Sequence, residues 1–316
     1  MTFNVENLFD TEHDAGKDDY TFLPLARKNQ PDVQKSCGEI KVRKWRNECL
    51  YKDWSEPLVH EKLSRLARTI LSVGDGRGPD ILLLQEVENH KILERLRTEF
   101  LADAHYLPGI LLEGPDSRGI DVAVLSRLPV IGEPILHTVE MGKTSKETRG
   151  VLDVHLLLPD GTPVLVFVVH LPSGANPGSD RDQVFSLIEE LRESAGPDRL
   201  IIAGGDFNTT KAEDQRTGRF KELAEHWLVS HLVGCRHCLG THYYHAKREW
   251  SFFDVLLFSK KFAERNSPWR LNPASVEVVK NNPQQINRYG APASIEDASD
   301  PIGVSDHFPL IATIEM

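Results

Sequence analysis

Leu200-Ile201-Ile202-Ala203-Gly204-Gly205-Asp206-Phe207-Asn208-Thr209 is the stretch on which the fold turns. Four apolar residues make a short strand, and the chain then changes character at once. Side chains on a strand alternate with period two, so the carboxylate of Asp206 and the amide of Asn208 face the same way at the strand's end. Such a pair can hold a metal ion or a nucleophile with one group and a phosphoryl oxygen with the other. The two glycines are expected to let a ligand approach the backbone. Gly-Gly-Asp-x-Asn is also good turn chemistry that needs no function, and the motif alone leaves both readings open.

The same pattern recurs along the chain. Apolar, β-branched runs of four to eight residues, bounded by Gly, Pro, Asp or Ser, occupy residues 81–85, 120–126, 151–158, 164–170, 254–259 and 309–314. Pro159-Asp160-Gly161-Thr162 is a strong turn and predicts an antiparallel hairpin between the two runs that flank it. Apolar residues at helical spacing mark 61–73, 89–100, 180–194 and 220–232 as helices. Strands outnumber helices, and hairpins mix with strand–helix units, so mixed sheets covered by helices are expected. With no internal repeat and no low-complexity linker, residues 1–316 read as a single domain carrying long irregular insertions near 11–57 and 266–303. Loops of that length in a compact domain are often functional.

Polar residues stand where those apolar runs stop. Residues 81–85 end in Gln85 and lead into Glu86, a good hard-cation ligand or a cap for the next helix. His170 ends its run beside Leu171-Pro172-Ser173-Gly174 and reads as a phosphate donor or a satisfied core histidine. Ser305-Asp306-His307 precedes the last run; an adjacent Asp and His can supply a metal or water ligand together with a base, and surface pairs of this kind are common. Asp254, opening residues 254–259, is the candidate carboxylate partner for His307. Asn4, in Phe3-Asn4-Val5, is a polar residue at another strand end.

The formal net charge of −10 opposes tight, sequence-independent nucleic-acid binding, though bound metal ions or a local basic groove can reverse the sign at a site. Between Arg27 and Lys52 basic residues outnumber acidic ones, which reads as a solvated face or a phosphate-facing rim. No apolar run approaches the ~20 residues that span a bilayer. The four cysteines, Cys37, Cys49, Cys235 and Cys238, suit two local disulfides in an oxidising compartment, with three possible pairings. Zinc at Cys235-Arg236-His237-Cys238 and free thiols are the competing readings. Met1 directly precedes what reads as the middle of a strand, as though a leader had been removed. A periplasmic or secreted location is expected in that case, and a cytoplasmic one otherwise.

Taken in order, Asn4, Gln85-Glu86, His170-Leu171-Pro172-Ser173, Gly205-Asp206-Phe207-Asn208, Asp254-Val255-Leu256-Leu257 and Ser305-Asp306-His307 resemble the endonuclease/exonuclease/phosphatase superfamily, almost from end to end. The resemblance implies a deoxyribonuclease I-like α/β fold: a four-layer sandwich of two mixed, mostly antiparallel sheets flanked by helices. It implies a Mg²⁺-dependent phosphoesterase, with Mn²⁺ or Ca²⁺ as possible substitutes, that attacks phosphorus in line with water and forms no covalent intermediate. By position, Glu86 resembles the principal metal ligand, with Asn4 and Asp306 in the metal shell. Asp206 resembles the residue that orients or deprotonates water; Asn208 and His170 resemble phosphate contacts. His307 resembles the catalytic histidine, Asp254 its partner, and Arg118 a further phosphate contact. The segment 234–250, with Tyr243, Tyr244 and Trp250, is not generic to the family; its aromatics can stack on a base or sugar, or pack a bridged loop. The expected substrate is a phosphodiester, possibly of a nucleic acid, cleaved by a monomer with no stable membrane insertion. A phosphomonoesterase or phospholipid or inositol-phosphate phosphoesterase is the alternative, and a catalytically dead binding module a further one.

Overall fold

The computed structural model describes residues 1–139, 149–295 and 303–316. Part of the expected 266–303 insertion, residues 296–302, therefore lies outside the described residues. Strands are numbered in chain order. Among the described residues one six-stranded sheet holds, in order across it, β13 (Arg270–Val278), β14 (Leu310–Glu315), β1 (Thr2–Leu8), β2 (Ile81–Val87), β4 (Asp121–Ser126) and β3 (Ile110–Leu111). The second runs β5 (Ile135–His137), β6 (Val151–Leu157), β7 (Pro163–His170), β8 (Leu200–Asp206), β12 (Asp254–Ser259) and β9 (Trp227–Val229). A small hairpin, β10 (His242–Tyr244) with β11 (Glu249–Ser251), stands apart. Among the described residues only β1–β2 and β7–β8 are parallel pairs, so both sheets are mixed and mostly antiparallel, as expected. The predicted hairpin is β6–β7.

Strand alternation builds the layers. On β7, Val164, Val166 and Val168 enter the core between the sheets, while Leu165, Phe167 and Val169 face outward. Helix α5 (Gly178–Ala195) covers that outer face with Val184, Phe185 and Ile188; here α1 to α4 are Pro31–Glu39, Arg43–Tyr51, Glu56–Ile70 and His90–Arg95. On β2, Leu83 points inward, and Leu82 and Leu84 meet Leu63, Leu66 and Ile70 of α3. Burial on both faces explains why these strands read as unbroken apolar runs instead of alternating ones.

Several expectations need correction. Residues 220–232 are not one helix but a short helix Arg219–Leu223, the edge strand β9 and a one-turn helix Ser230–Val233. Trp227 and Val229 both bury beside β12, so period two wins where the spacing also suited period 3.6. The stretch 11–57 is not structureless: α1 and α2 form a hairpin around Leu23, Val33, Cys37 and Cys49, closed by the Cys37–Cys49 disulfide. The stretch 266–303 contains β13. The second disulfide joins Cys235 to Cys238, which leaves neither sulfur for zinc, and no free cysteine stands among the described residues. Lys28 does not join a phosphate-facing rim; it is buried and donates to the carbonyls of Tyr20, Thr21 and Cys49.

Candidate active site

The second sheet sets three polar residues in one row. Parallel pairing opposes His170 to Asp206, and antiparallel pairing opposes Asp254 to Asp206, so three strand ends share one edge. The glycines before Asp206 are packing devices, not ligand room. A Cβ on Gly205 would stand 1.8 Å from the Val169 carbonyl oxygen, and one on Gly204 would strike Leu256 and Leu83 at 2.6 and 2.7 Å. Beyond Asp206 the chain turns instead of extending. Asn208 adopts φ +47°, donates its N–H to Asp206 Oδ1 at 2.8 Å, and turns its amide to Asp206 Oδ2 at 3.2 Å and Leu171 O at 3.0 Å.

The first sheet supplies the facing half. Asn4 pairs with Gln85 in register, after which both strands bulge. Glu6, Asn7 and Glu86 all take the left-handed region, with φ +50°, +53° and +66°. Non-glycine residues held there cost about 1–3 kcal/mol each and persist only where their surroundings fix them. The bulge swings Glu86 onto the site, where Oε2 accepts the Asn7 N–H at 2.9 Å. Asn4 donates its amide to Glu86 Oε1 at 3.2 Å and Asp206 Oδ2 at 3.0 Å, while its oxygen accepts from Glu6 N at 2.9 Å. In this orientation Asn4 aligns two carboxylates and turns its nitrogen, not its oxygen, toward the centre.

The Ser-Asp-His turn closes the third side. Ser305 donates to Asn4 O at 2.7 Å, and the Asp306 N–H donates to Glu6 Oε2 at 3.1 Å, tying this turn to β1. His307 Nδ1 lies 2.7 Å from Asp254 Oδ2, and its Nε2 lies 3.9 Å from Asp206 Oδ2 and from Asp306 Oδ1. Across the site, His170 Nε2 lies 3.5 Å from the same Asp206 oxygen and 3.7 Å from Glu86 Oε1.

The sequence pattern of the Endonuclease/Exonuclease/phosphatase family matches residues 46–316. The chain belongs to that family. The fold agrees. An endonuclease/exonuclease/phosphatase from Beutenbergia cavernae DSM 12333 superposes with a TM-score of 0.58 at 15% identity, over 80% of this chain and 66% of that one. A humanized D. rerio TDP2 gives 0.58 at 18%, over 81% and 93%. The D. rerio TDP2 structure with a single strand DNA product gives 0.57 at 18%, over the same shares. At these identities the likeness concerns the fold, a phosphoesterase- and nuclease-type sandwich. No curated protein matches the sequence.

Within this family member the two histidines are electrostatic opposites. Burial works against a charged His307, but the carboxylates of Asp254, Asp306 and Asp206 outweigh it and hold its imidazolium well above the usual range. Burial, helped by the charges of Arg149 and Arg118, drives His170 well below that range. Asp206 is pushed up to about 7 by burial; His307 opposes the rise and Asp254 adds to it.

Two further residues line the centre without having been expected there. Arg149, buried, sets Nε 3.1 Å from Asp116 Oδ2, and Arg118, half-exposed, shares Asp116 at 3.4 Å. The only sequence signal for Arg149 is a charge beside Gly150 just before an apolar strand. His242 opens β10, forms a bridge with His307 and stacks on Phe253 with centroids 4.5 Å apart. Together the chain gathers seven of the nine expected residues around an eighth, Asp206, and sets the ninth, Arg118, at the rim beside Arg149.

Proposed function

We propose that the chain hydrolyses a phosphodiester of a nucleic-acid-like substrate with the help of a hard divalent cation. The observation that carries this reading is a single carboxylate, Asp206, flanked by His170 Nε2 at 3.5 Å and His307 Nε2 at 3.9 Å, with Glu86 beside it. The donor set fits such an ion: carboxylate oxygens of Glu86, Asp206 and Asp306 gather around one centre. Glu86 would hold the ion, with Asp306 approaching from the His307 side and the Asn4 amide fixing the Glu86 carboxylate. When bound, the ion supplies positive charge to the phosphoryl oxygens.

The chain's own groups account for the other tasks. Asp206, raised toward neutrality, accepts a proton from the attacking water. Asn4 and Asn208 both donate to Asp206 Oδ2, which fixes the direction in which that oxygen faces. His307, held by Asp254 through Nδ1, presents Nε2–H to a phosphoryl oxygen and stabilises the charge that builds there. His170, kept neutral, donates one hydrogen bond without adding a cation. Arg149 and Arg118 give the phosphate a positive approach.

The D. rerio TDP2 structure of the same fold is described with a single strand DNA product, which supports a polynucleotide end or strand as the substrate here. Turnover of plasmid DNA, single-stranded oligonucleotides, bis-p-nitrophenyl phosphate and p-nitrophenyl phosphate, each with Mg²⁺, Mn²⁺, Ca²⁺ or EDTA, tests the reading. Diester cleavage that EDTA abolishes is expected. Hydrolysis of the monoester alone would overturn the diester assignment, and undiminished activity in EDTA would overturn the cation.

A further inference from the structure

The small hairpin β10–β11 does something the phosphoester chemistry does not ask for. Gly240 takes φ +152° and lies so close to the opposite strand that a Cβ there would stand 2.5 Å from Ser251 O. That approach seats His242, the next residue but one, in a bridge with His307, their rings 5.0 Å apart. Phe253 stacks on the His242 ring with planes 1° apart and so fixes its orientation. His242 Nδ1 is buried and has no hydrogen-bond partner among the described residues. One ring nitrogen of His242, one of His307 and one carboxylate oxygen of Asp306 all lie within 4.8 Å of one another.

Two imidazoles and a carboxylate converging in this way suit a metal ion of intermediate softness, which a hard oxygen site at Glu86 does not. The outer contacts are also in place. Asp254 engages His307 Nδ1 at 2.7 Å, which leaves Nε2, 3.9 Å from Asp306 Oδ1, as the nitrogen turned to the ion. A carboxylate behind a ligating histidine fixes its tautomer and raises its basicity, and such partners commonly govern metal affinity by 10–100-fold. Asp306 is anchored through its own N–H to Glu6.

We propose that His242, Asp306 and His307 form a second cation site, for zinc or a zinc-like transition-metal ion, and that its occupancy switches off the hydrolase by taking His307 Nε2, whose proton is released to solvent and is no longer there to donate to phosphate. The site itself stands on geometry alone; only the switch rests on the function proposed above.

Equilibrium competition for Zn²⁺ against a chromogenic chelator, run with the full chain in excess Mg²⁺, tests the site. Visible ligand-field absorption of bound Co²⁺ reports its coordination. One tight equivalent with a tetrahedral Co²⁺ spectrum is expected. His242→Ala should weaken Zn²⁺ binding by more than about 10-fold and flatten the Co²⁺ band. Replacing the exposed His237 by Ala, which removes a surface imidazole outside the site, should leave both unchanged. Equal affinity in His242→Ala, or displacement of Zn²⁺ by Mg²⁺ at ordinary concentrations, would overturn the site. Should His242→Ala fail to fold, the anomalous signal of Zn²⁺ in crystals of the unaltered chain decides: density among the three residues supports the site, and density elsewhere sinks it. Zn²⁺ should also inhibit Mg²⁺-supported diester cleavage in the wild type far more than in His242→Ala. Equal inhibition would remove the switch while the binding result stands.

Discussion

His170 and His307 enter the site from opposite sides, are equally buried, and stand at nearly equal distances from one oxygen of Asp206. Their chemistry differs because of what each ring meets on its far side. His307 Nδ1 finds Asp254 at 2.7 Å, whereas His170 Nδ1 finds no partner among the described residues, and the guanidinium groups of Arg149 and Arg118 lie near. Burial alone pushes both toward neutrality, so the carboxylate decides which one becomes a cation. Proximity to the reacting centre therefore does not assign a histidine's role. The group behind it does.

The largest test removes the charged side. His307→Ala should lower kcat by about 10²–10³-fold, the range of a lost donor to the charge that develops in the transition state. His170→Ala should act mainly on KM, because a neutral donor binds phosphate without moving a proton. Steady-state kinetics on one diester, with thermal unfolding to confirm the fold, separates the two; equal kcat losses would erase the distinction. Asp254→Asn comes next and keeps the shape of the His307 pair. Removing the carboxylate lowers the pKa of His307, so its charged form is lost at lower pH. The alkaline limb of the kcat profile should then move to lower pH, with kcat at neutral pH down by about 10²-fold. An unmoved limb would mean that His307 does not act as the cation.

The residues of this comparison were unequally legible in the sequence. Asp206, His170 and Glu86 stand where an apolar run stops and Asp254 where one starts, and their order along the chain raises them above the cap or core readings each allows alone. Arg149 precedes a strand, and only the fold brings it to Asp116 and His170. The orientation of Asn4 depends on the bulge at Glu6, Asn7 and Glu86, which pattern reading does not show because left-handed backbone is rare outside glycine. The glycines of Gly204-Gly205 read as room for a ligand, but what approaches is protein: Val169 at Gly205, and Leu256 and Leu83 at Gly204. α1 and α2 escaped notice since α1 buries only Val33 and Cys37 and α2 only Cys49, too narrow a stripe for periodicity.

Arg149→Gln sharpens the comparison from the neutral side. It withdraws one of the charges that suppress His170, so the His170 pKa measured by NMR titration should rise. Phosphate binding should weaken, with KM up by about 10-fold, or about 1.4 kcal/mol. Arg118 still pairs with Asp116, so the fold should hold.

The smallest effect on catalysis, and the cleanest measure of burial without a partner, comes from Asp121. Like Asp254 it is a buried carboxylate at the start of a strand, but no imidazole meets it: Oδ1 accepts the Gly114 N–H at 2.9 Å and Oδ2 has no partner among the described residues. Burial, reinforced by the charge of Glu113, pushes it up to about 7. The folded chain then holds a proton that the unfolded chain gives up near pH 4, so stability falls as pH rises from about 4 to 7. Asp121→Asn keeps an acceptor for Gly114 and removes the ionisation. Its stability relative to the wild type should therefore improve by about 1–3 kcal/mol between pH 5 and 8 in urea unfolding. A constant difference across that range would show that Asp121 is ionised in the fold, and that burial here does not do to a carboxylate what it does to His170.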